Sequence, residues 1–133
     1  MKTISVRCAN QDDAPVIYKF INELEDTQLD VTIFNQIFTR NLNTENIHYL
    51  VAVENEWVVG FLSCHGQVLL HHMGLVFEIQ ELFVHKDYRN RGIGAVLLNA
   101  LREQIQELDY KLLEVCCNIK RLNTHQFYVS NGL

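Results

Sequence analysis

Val76-Phe77-Glu78-Ile79-Gln80-Glu81-Leu82-Phe83-Val84 is an apolar, partly β-branched run that reads as a strand, and Arg89-Asn90-Arg91-Gly92-Ile93-Gly94 follows shortly after it. Beyond those six residues, Ile93, Val96, Leu97, Ala100, Leu101, Ile105 and Leu108 recur at helical spacing. A strand that turns through glycines into a helix is suited to holding phosphate. Backbone N–H groups and the positive helix end face the anion, and the missing Cβ atoms let it approach. Arg89 and Arg91 add fixed charge in a geometry that matches phosphate oxygens.

The same loop excludes two other phosphate binders. It lacks the Gly-Lys-Ser/Thr ending of a P-loop and the three-glycine spacing of a dinucleotide fingerprint. A nucleotide-binding module therefore ranks last among the readings.

The 133 residues suffice for one domain with its own core, read as a single unit over 1–133. Hydrophobic residues make up 48% and charged residues 20%, the balance of a soluble globular protein. A net charge of −5 argues against a nucleic-acid surface. Neither a signal peptide nor a membrane-spanning apolar run is evident, so the expected location is the cytoplasm, without membrane association. Cys8, Cys64, Cys116 and Cys117 show no Cys-x-x-Cys spacing and read as free thiols in strands or packing positions.

Along the chain, Ile4 to Cys8 reads as a first strand. A helix capped by Asp12 and Asp13 follows, with Pro15 in its first turn and Ala14, Ile17, Tyr18, Ile21 and Leu24 on one face. Ile33, Phe34, Ile37, Phe38 and Leu42 mark a second helix. Tyr49–Val53 and Trp57–Cys64 form a hairpin about Glu54-Asn55-Glu56, and Gln67–Leu70 continues the sheet before the polar break His71-His72-Met73-Gly74. Leu112–Cys117 is a further strand, and Thr124–Ser130 a last short helix. The order β-α-α-β-β-β-α-β-α predicts a mixed α/β (α+β) domain, a mostly antiparallel twisted sheet flanked by helices.

With Arg89, Gly92 and Gly94 at the defining positions, the loop resembles the Arg/Gln-x-x-Gly-x-Gly/Ala element that grips the coenzyme A pyrophosphate in the GNAT acetyltransferase superfamily. Glu81-Leu82-Phe83-Val84 before it and the element order extend the resemblance over essentially the whole chain. Phe127-Tyr128-Val129-Ser130-Asn131-Gly132-Leu133 is similar to the family's closing pattern. That pattern implies one more strand, and the sequence given stops before it.

The resemblance implies an acetyl-coenzyme A-dependent N-acetyltransferase acting on a small-molecule amine. Arg89, Asn90, Arg91, Gly92, Ile93 and Gly94 would hold the pyrophosphate. Backbone N–H groups of Leu82, Phe83 and Val84 would polarise the acetyl oxygen, and nearby carbonyls would hold the pantetheine arm. Glu78 and Glu81, three apart on an apolar strand, are expected on opposite faces of the sheet. A strand carboxylate most often pairs with a neighbouring strand; within this motif Glu78 is the candidate base and Glu81 a structural residue. Tyr128 is the candidate acid for the departing thiolate, and outside the motif it would read as a core aromatic.

Leu70-His71-His72, Glu78–Leu82 and Asn118-Ile119-Lys120-Arg121 ahead of Thr124–Tyr128 narrow the resemblance to bacterial aminoalkylphosphonate N-acetyltransferases. This implies an aminoalkylphosphonate acceptor and a divalent metal ion whose ligands the sequence does not identify. His71, His72, Lys120 and Arg121 are the candidate substrate contacts, since a phosphonate dianion needs concentrated positive charge. Lys120-Arg121 equally suits a solvated turn. Other readings are acetylation of another small amine or a protein N-terminus, and a non-catalytic acyl-coenzyme A sensor. A homodimer is compatible with the family, although no residue pattern reports oligomeric state.

Overall fold

The computed structural model describes residues 3–116 and 131–132. Its elements are β1 (Ser5–Cys8), α1 (Ala14–Glu25), α2 (Val31–Leu42), β2 (Ile47–Glu54), β3 (Trp57–Leu69), β4 (Gly74–Val84), α3 (Ile93–Ile105) and β5 (Tyr110–Val115). One five-stranded sheet runs in the order β1-β2-β3-β4-β5. β1 to β4 are antiparallel neighbours, and β5 lies parallel to β4. The α/β class and element order expected from the sequence hold for the described residues. Thr124–Ser130 lies outside them.

Local chemistry explains the ends of these elements. The Asp30 carboxylate accepts the Ile33 N–H at 2.9 Å and starts α2. The start of α1 differs from the expected pair of Asp caps. Asn10 caps a 3-10 turn, Gln11–Asp13, and the Asp13 carboxylate returns to accept the Asn10 N–H at 2.8 Å. Pro15 then sits in the first turn of α1, where its missing N–H breaks no helical bond. The turn joining β2 to β3 carries positive φ at both Asn55 and Glu56, the twist that suits a two-residue hairpin.

β3 runs unbroken from Trp57 to Leu69, joining Trp57–Cys64 to the continuation expected at Gln67–Leu70. Gly66 pairs with Phe77, and a Cβ added at Gly66 would lie 2.7 Å from that ring. The glycine is required by a close approach, not by a break in the strand.

The core has a layer on each side of the sheet. α3 packs Leu97, Leu98, Leu101 and Ile105 against Leu50, Leu62, Cys64, Phe77 and Ile79. On the other face, α1 and α2 bring Ile17, Phe20, Ile21 and Phe38 onto Val51, Phe61 and Phe83. Complete burial of a leucine stabilises by about 2 kcal/mol, so these two layers supply most of what holds the helices to the sheet. Among the described residues, no helix is long and apolar enough to cross a membrane.

An irregularity in β4 positions the site. Ile79 pairs with Cys64 and Glu81 with Ser63, so Gln80 is an extra residue, a bulge. Side chains on the α3 face are therefore Phe77 and Ile79 before the bulge, and Leu82 and Val84 after it. Glu78 and Glu81 consequently share the α1/α2 face. This corrects the expectation that they point to opposite sides; simple alternation fails because the bulge shifts the period by one. On its other side β4 pairs with the described part of β5 as far as Ile79, opposite Val115, and the Ile79 carbonyl accepts the Cys116 N–H at 2.9 Å.

Candidate active site

Beyond Ile79, β4 continues beside β3 with no β5 partner among the described residues. The His85 N–H donates to the Val59 carbonyl at 2.8 Å. Bonded pairs alternate in an antiparallel ladder, so Phe83–Phe61 and Glu81–Ser63 are bonded pairs too. Leu82 and Val84 then direct their N–H and C=O groups away from β3. Of the three residues expected to offer backbone donors, Leu82 and Val84 direct theirs to the side of β4 away from β3, and Phe83 is committed to β3.

The loop after β4 begins with a 3-10 turn, Lys86–Tyr88. Asn90 (φ 65°) and Gly92 (φ 76°) adopt left-handed conformations, and Gly92 is the N-cap of α3. No side chain caps that end, so the first N–H groups of α3 are directed outward beside Gly92. A Cβ at Gly92 would have nothing within 4 Å, so the loop is open at this point. Gly94 and Ile93 form the first turn, with Ile93 buried beneath.

Both loop arginines are oriented by the protein. The Arg89 Nε donates to the Val84 carbonyl at 2.9 Å, its guanidinium stacks on Phe83 at 5.4 Å, and Glu23 lies 3.8 Å away. Arg91 stacks on Tyr88 at 5.0 Å and sits 3.6 Å from Glu54, at the end of β2. Both side chains remain about half exposed, leaving guanidinium donors for an incoming anion.

On the α1/α2 face lies a cavity of about 410 Å³, walled by Phe34, Phe38, Tyr49 and Phe61 and reached by Glu81. Buried Ser63 holds Glu81 twice: its Oγ donates to the carboxylate and accepts the Glu81 N–H at 3.0 Å. Burial raises the Tyr49 pKa, with a further rise from the Glu81 charge, so the phenol stays protonated; Asn41 donates to its oxygen at 2.7 Å. Glu78 stands across from His65 on the same face and accepts from Gln80 Nε2 at 2.6 Å. Thus the bulged residue itself braces Glu78.

Other expected contacts are not gathered here. His71 and His72 form a turn at the far end of the β3–β4 hairpin, their rings 4.2 Å apart. Measured along β4 from Gly74, that turn lies roughly 13 Å from Glu78 at about 3.3 Å per residue. Neither histidine lines the cavity. Tyr128, Lys120 and Arg121 lie outside the described residues. Among the described residues, no group of three His, Cys, Asp or Glu is placed to hold a metal ion. The described donors do not fit a resident divalent cation.

Sequence reasoning missed Ser63 and Tyr49. The only signal for Ser63 was a hydroxyl inside the otherwise apolar run Phe61-Leu62-Ser63-Cys64. Tyr49 looked like an ordinary strand aromatic.

The comparisons with known proteins agree with this geometry. The acetyltransferase (GNAT) family matches residues 12–133. An aminoalkylphosphonate N-acetyltransferase of Salmonella typhimurium is 38% identical over 132 residues, covering 99% of this chain and 86% of that protein. A structure described as a transcriptional regulator from Bacillus halodurans superposes with a TM-score of 0.88 at 19% identity, covering 98% of this chain and 93% of that one. Aminoglycoside N-acetyltransferase AAC(6')-Iy in complex with CoA gives 0.87 at 12% identity, over 100% and 89% of the two chains. A strand bulged at Gln80 and an uncapped glycine-led helix thus accompany a family match over nearly all the sequence: the chain belongs to the acetyltransferase (GNAT) family and is an acyltransferase of that type.

Proposed function

We propose that the protein transfers the acetyl group of acetyl-coenzyme A directly to the primary amine of an aminoalkylphosphonate. The observation that carries the acetyl-transfer reading is the direction of the Leu82 and Val84 N–H groups, away from β3 and beside the uncapped N-terminus of α3. The phosphonate is supported by the 38% identity to the Salmonella enzyme.

In this reading the pyrophosphate rests on the α3 N-terminus, between the guanidiniums of Arg89 and Arg91. The N–H groups of Leu82 and Val84 stabilise negative charge on the acetyl oxygen. An alkylammonium has a pKa near 10 and is a poor nucleophile at neutral pH. Glu78 takes its proton through water; Gln80 holds the carboxylate for that task. The amine nitrogen bonds to the carbonyl carbon, the carbon–sulfur bond breaks, Tyr128 protonates the sulfur, and the second proton lost by the nitrogen restores the phenol. Tyr128, with the substrate contacts Lys120 and Arg121, enters on the sequence pattern alone.

Thiol release with aminoethylphosphonate, compared with ethylamine, tests this. A preference of at least tenfold for the phosphonate supports the assignment. Equal rates would make the protein a general small-amine acetyltransferase, and coenzyme binding without release from any amine would favour an acyl-coenzyme A sensor. Repeating the assay with a chelator reads whether a divalent cation assists the phosphonate.

A further inference from the structure

The cavity between α1, α2 and the sheet has a chemistry that a small phosphonate does not explain. Its walls are aromatic and aliphatic: Phe34, Phe38, Tyr49 and Phe61 deep inside, with Ile33 and Ile37 toward the rim. Its charged lining residues are acidic. Asp30 is engaged in capping α2, while Glu81 is held by Ser63. No cation is among the described lining residues. A dianion placed there would face Glu81 and lose its hydration against rings. Moreover, about 410 Å³ exceeds what a two-carbon amine requires.

We propose that this cavity binds primary amines carrying an aromatic or bulky apolar group, and that the enzyme acetylates them as a second acceptor class. The proposal rests on the acetyl-transfer reading above. The ring lies among Phe34, Phe38, Tyr49 and Phe61, where offset and edge contacts with aromatic neighbours are available. The ammonium meets the Glu81 carboxylate, one residue along β4 from the Leu82 N–H. In the transfer, the ammonium loses one proton to a carboxylate through water and its nitrogen bonds to the acetyl carbon. The carbon–sulfur bond breaks, and the thiolate takes up the second proton that the nitrogen releases as it becomes an amide. The products are the N-acetyl arylalkylamine and coenzyme A, with no oxidant or further reactant needed.

The distinguishing experiment pairs calorimetric binding with thiol release, using 2-phenylethylamine, ethylamine and aminoethylphosphonate on the same protein. Burying a phenyl group predicts that 2-phenylethylamine binds at least about tenfold more tightly than ethylamine. The same preference should appear in kcat/KM. Ile37 and Ile33 are about half exposed at the rim, so Ile37→Lys or Ile33→Lys should keep the fold and reduce that preference severalfold. Equal binding of the two amines overturns the cavity assignment, even if aminoethylphosphonate is acetylated. Tight binding of 2-phenylethylamine without thiol release from any amine keeps the cavity assignment but overturns its use as an acceptor site, along with the transfer reading. A preference untouched by both rim variants, with circular dichroism unchanged, also overturns it.

Discussion

Glu78 and Glu81 lie on the same face of the sheet because Gln80, between them, is bulged out of the β3–β4 ladder. The bulge gives the two carboxylates different surroundings. Glu81 reaches the apolar cavity and is held by Ser63, whereas Glu78 is braced by the Gln80 amide opposite His65. In the proposed mechanism one of these carboxylates anchors an amine and the other receives a proton.

The two roles separate kinetically. With Glu78 as the proposed base, Glu78→Gln should lower kcat by about 10²-fold or more at pH 7, with partial recovery as rising pH deprotonates the amine unaided. Glu81→Gln should act mainly on KM for the amine, changing kcat by less than about tenfold. Steady-state rates from pH 6.5 to 9.5 check both. A flat pH profile for Glu78→Gln with kcat intact would remove it from the chemistry.

Gly92 invites a test of the phosphate loop. Its φ of 76° is costly for a residue with a Cβ, although the Cβ itself would meet nothing within 4 Å. Gly92→Ala should therefore destabilise by about 1 kcal/mol through the backbone alone. If the loop relaxes toward negative φ instead, the outward N–H groups turn and KM for acetyl-coenzyme A rises. Chemical denaturation combined with the coenzyme KM distinguishes the two responses.

How far the sequence could be read depended on where regular periodicity held. The strand–loop–helix around Arg89–Gly94 was legible because the apolar period changes from two to 3.6 across a pair of glycines. The relative facing of Glu78 and Glu81 was not, since a bulge in β4 is set by pairing with β3 and leaves no mark in the strand's own residues. The role of Gly66 was equally hidden: it admits the Phe77 ring from the neighbouring strand, a contact the sequence of β3 does not show. The cavity was illegible because Phe34 and Phe38 from α2 and Tyr49 and Phe61 from the sheet meet only in the tertiary structure. A helical period shows which face of α2 turns inward, not that the space there stays open.

Cysteine chemistry gives a prediction independent of catalysis. Burial pushes the Cys64 thiol up to about 12, partly opposed by a main-chain hydrogen bond at Glu78 and reinforced by the Glu78 charge. Cys64 is also fully enclosed, between β2 and β4 and beneath α3, whereas Cys8 is exposed. Alkylation of the native protein at pH 8 with iodoacetamide should modify Cys8 and spare Cys64 until the fold opens. Peptide mass spectrometry after timed quenching reads this directly. Comparable labelling of both thiols would mean that the α3 layer opens far more readily than its packing implies.

His48 ties acid sensitivity to the opposite end of α3. Its Nδ1 lies 2.7 Å from Gln104 Nε2, its ring packs edge-on against Phe77, and Nε2 is buried without a partner among the described residues. Burial lowers its pKa below the ordinary histidine value. The folded protein therefore resists a proton that the unfolded chain accepts near pH 6.5. The neutral ring's contribution is fully present above that pH, and it is lost as pH falls from there through the folded-state pKa. Thermal melts at pH 7.5, 6.5 and 5.5 should show a larger fall in Tm for the parent protein than for His48→Gln, a residue of similar reach that does not titrate. The difference between the two series isolates His48 from the carboxylates that titrate lower. Parallel curves would mean that the ring acquires a hydrogen-bond partner for its second nitrogen in solution.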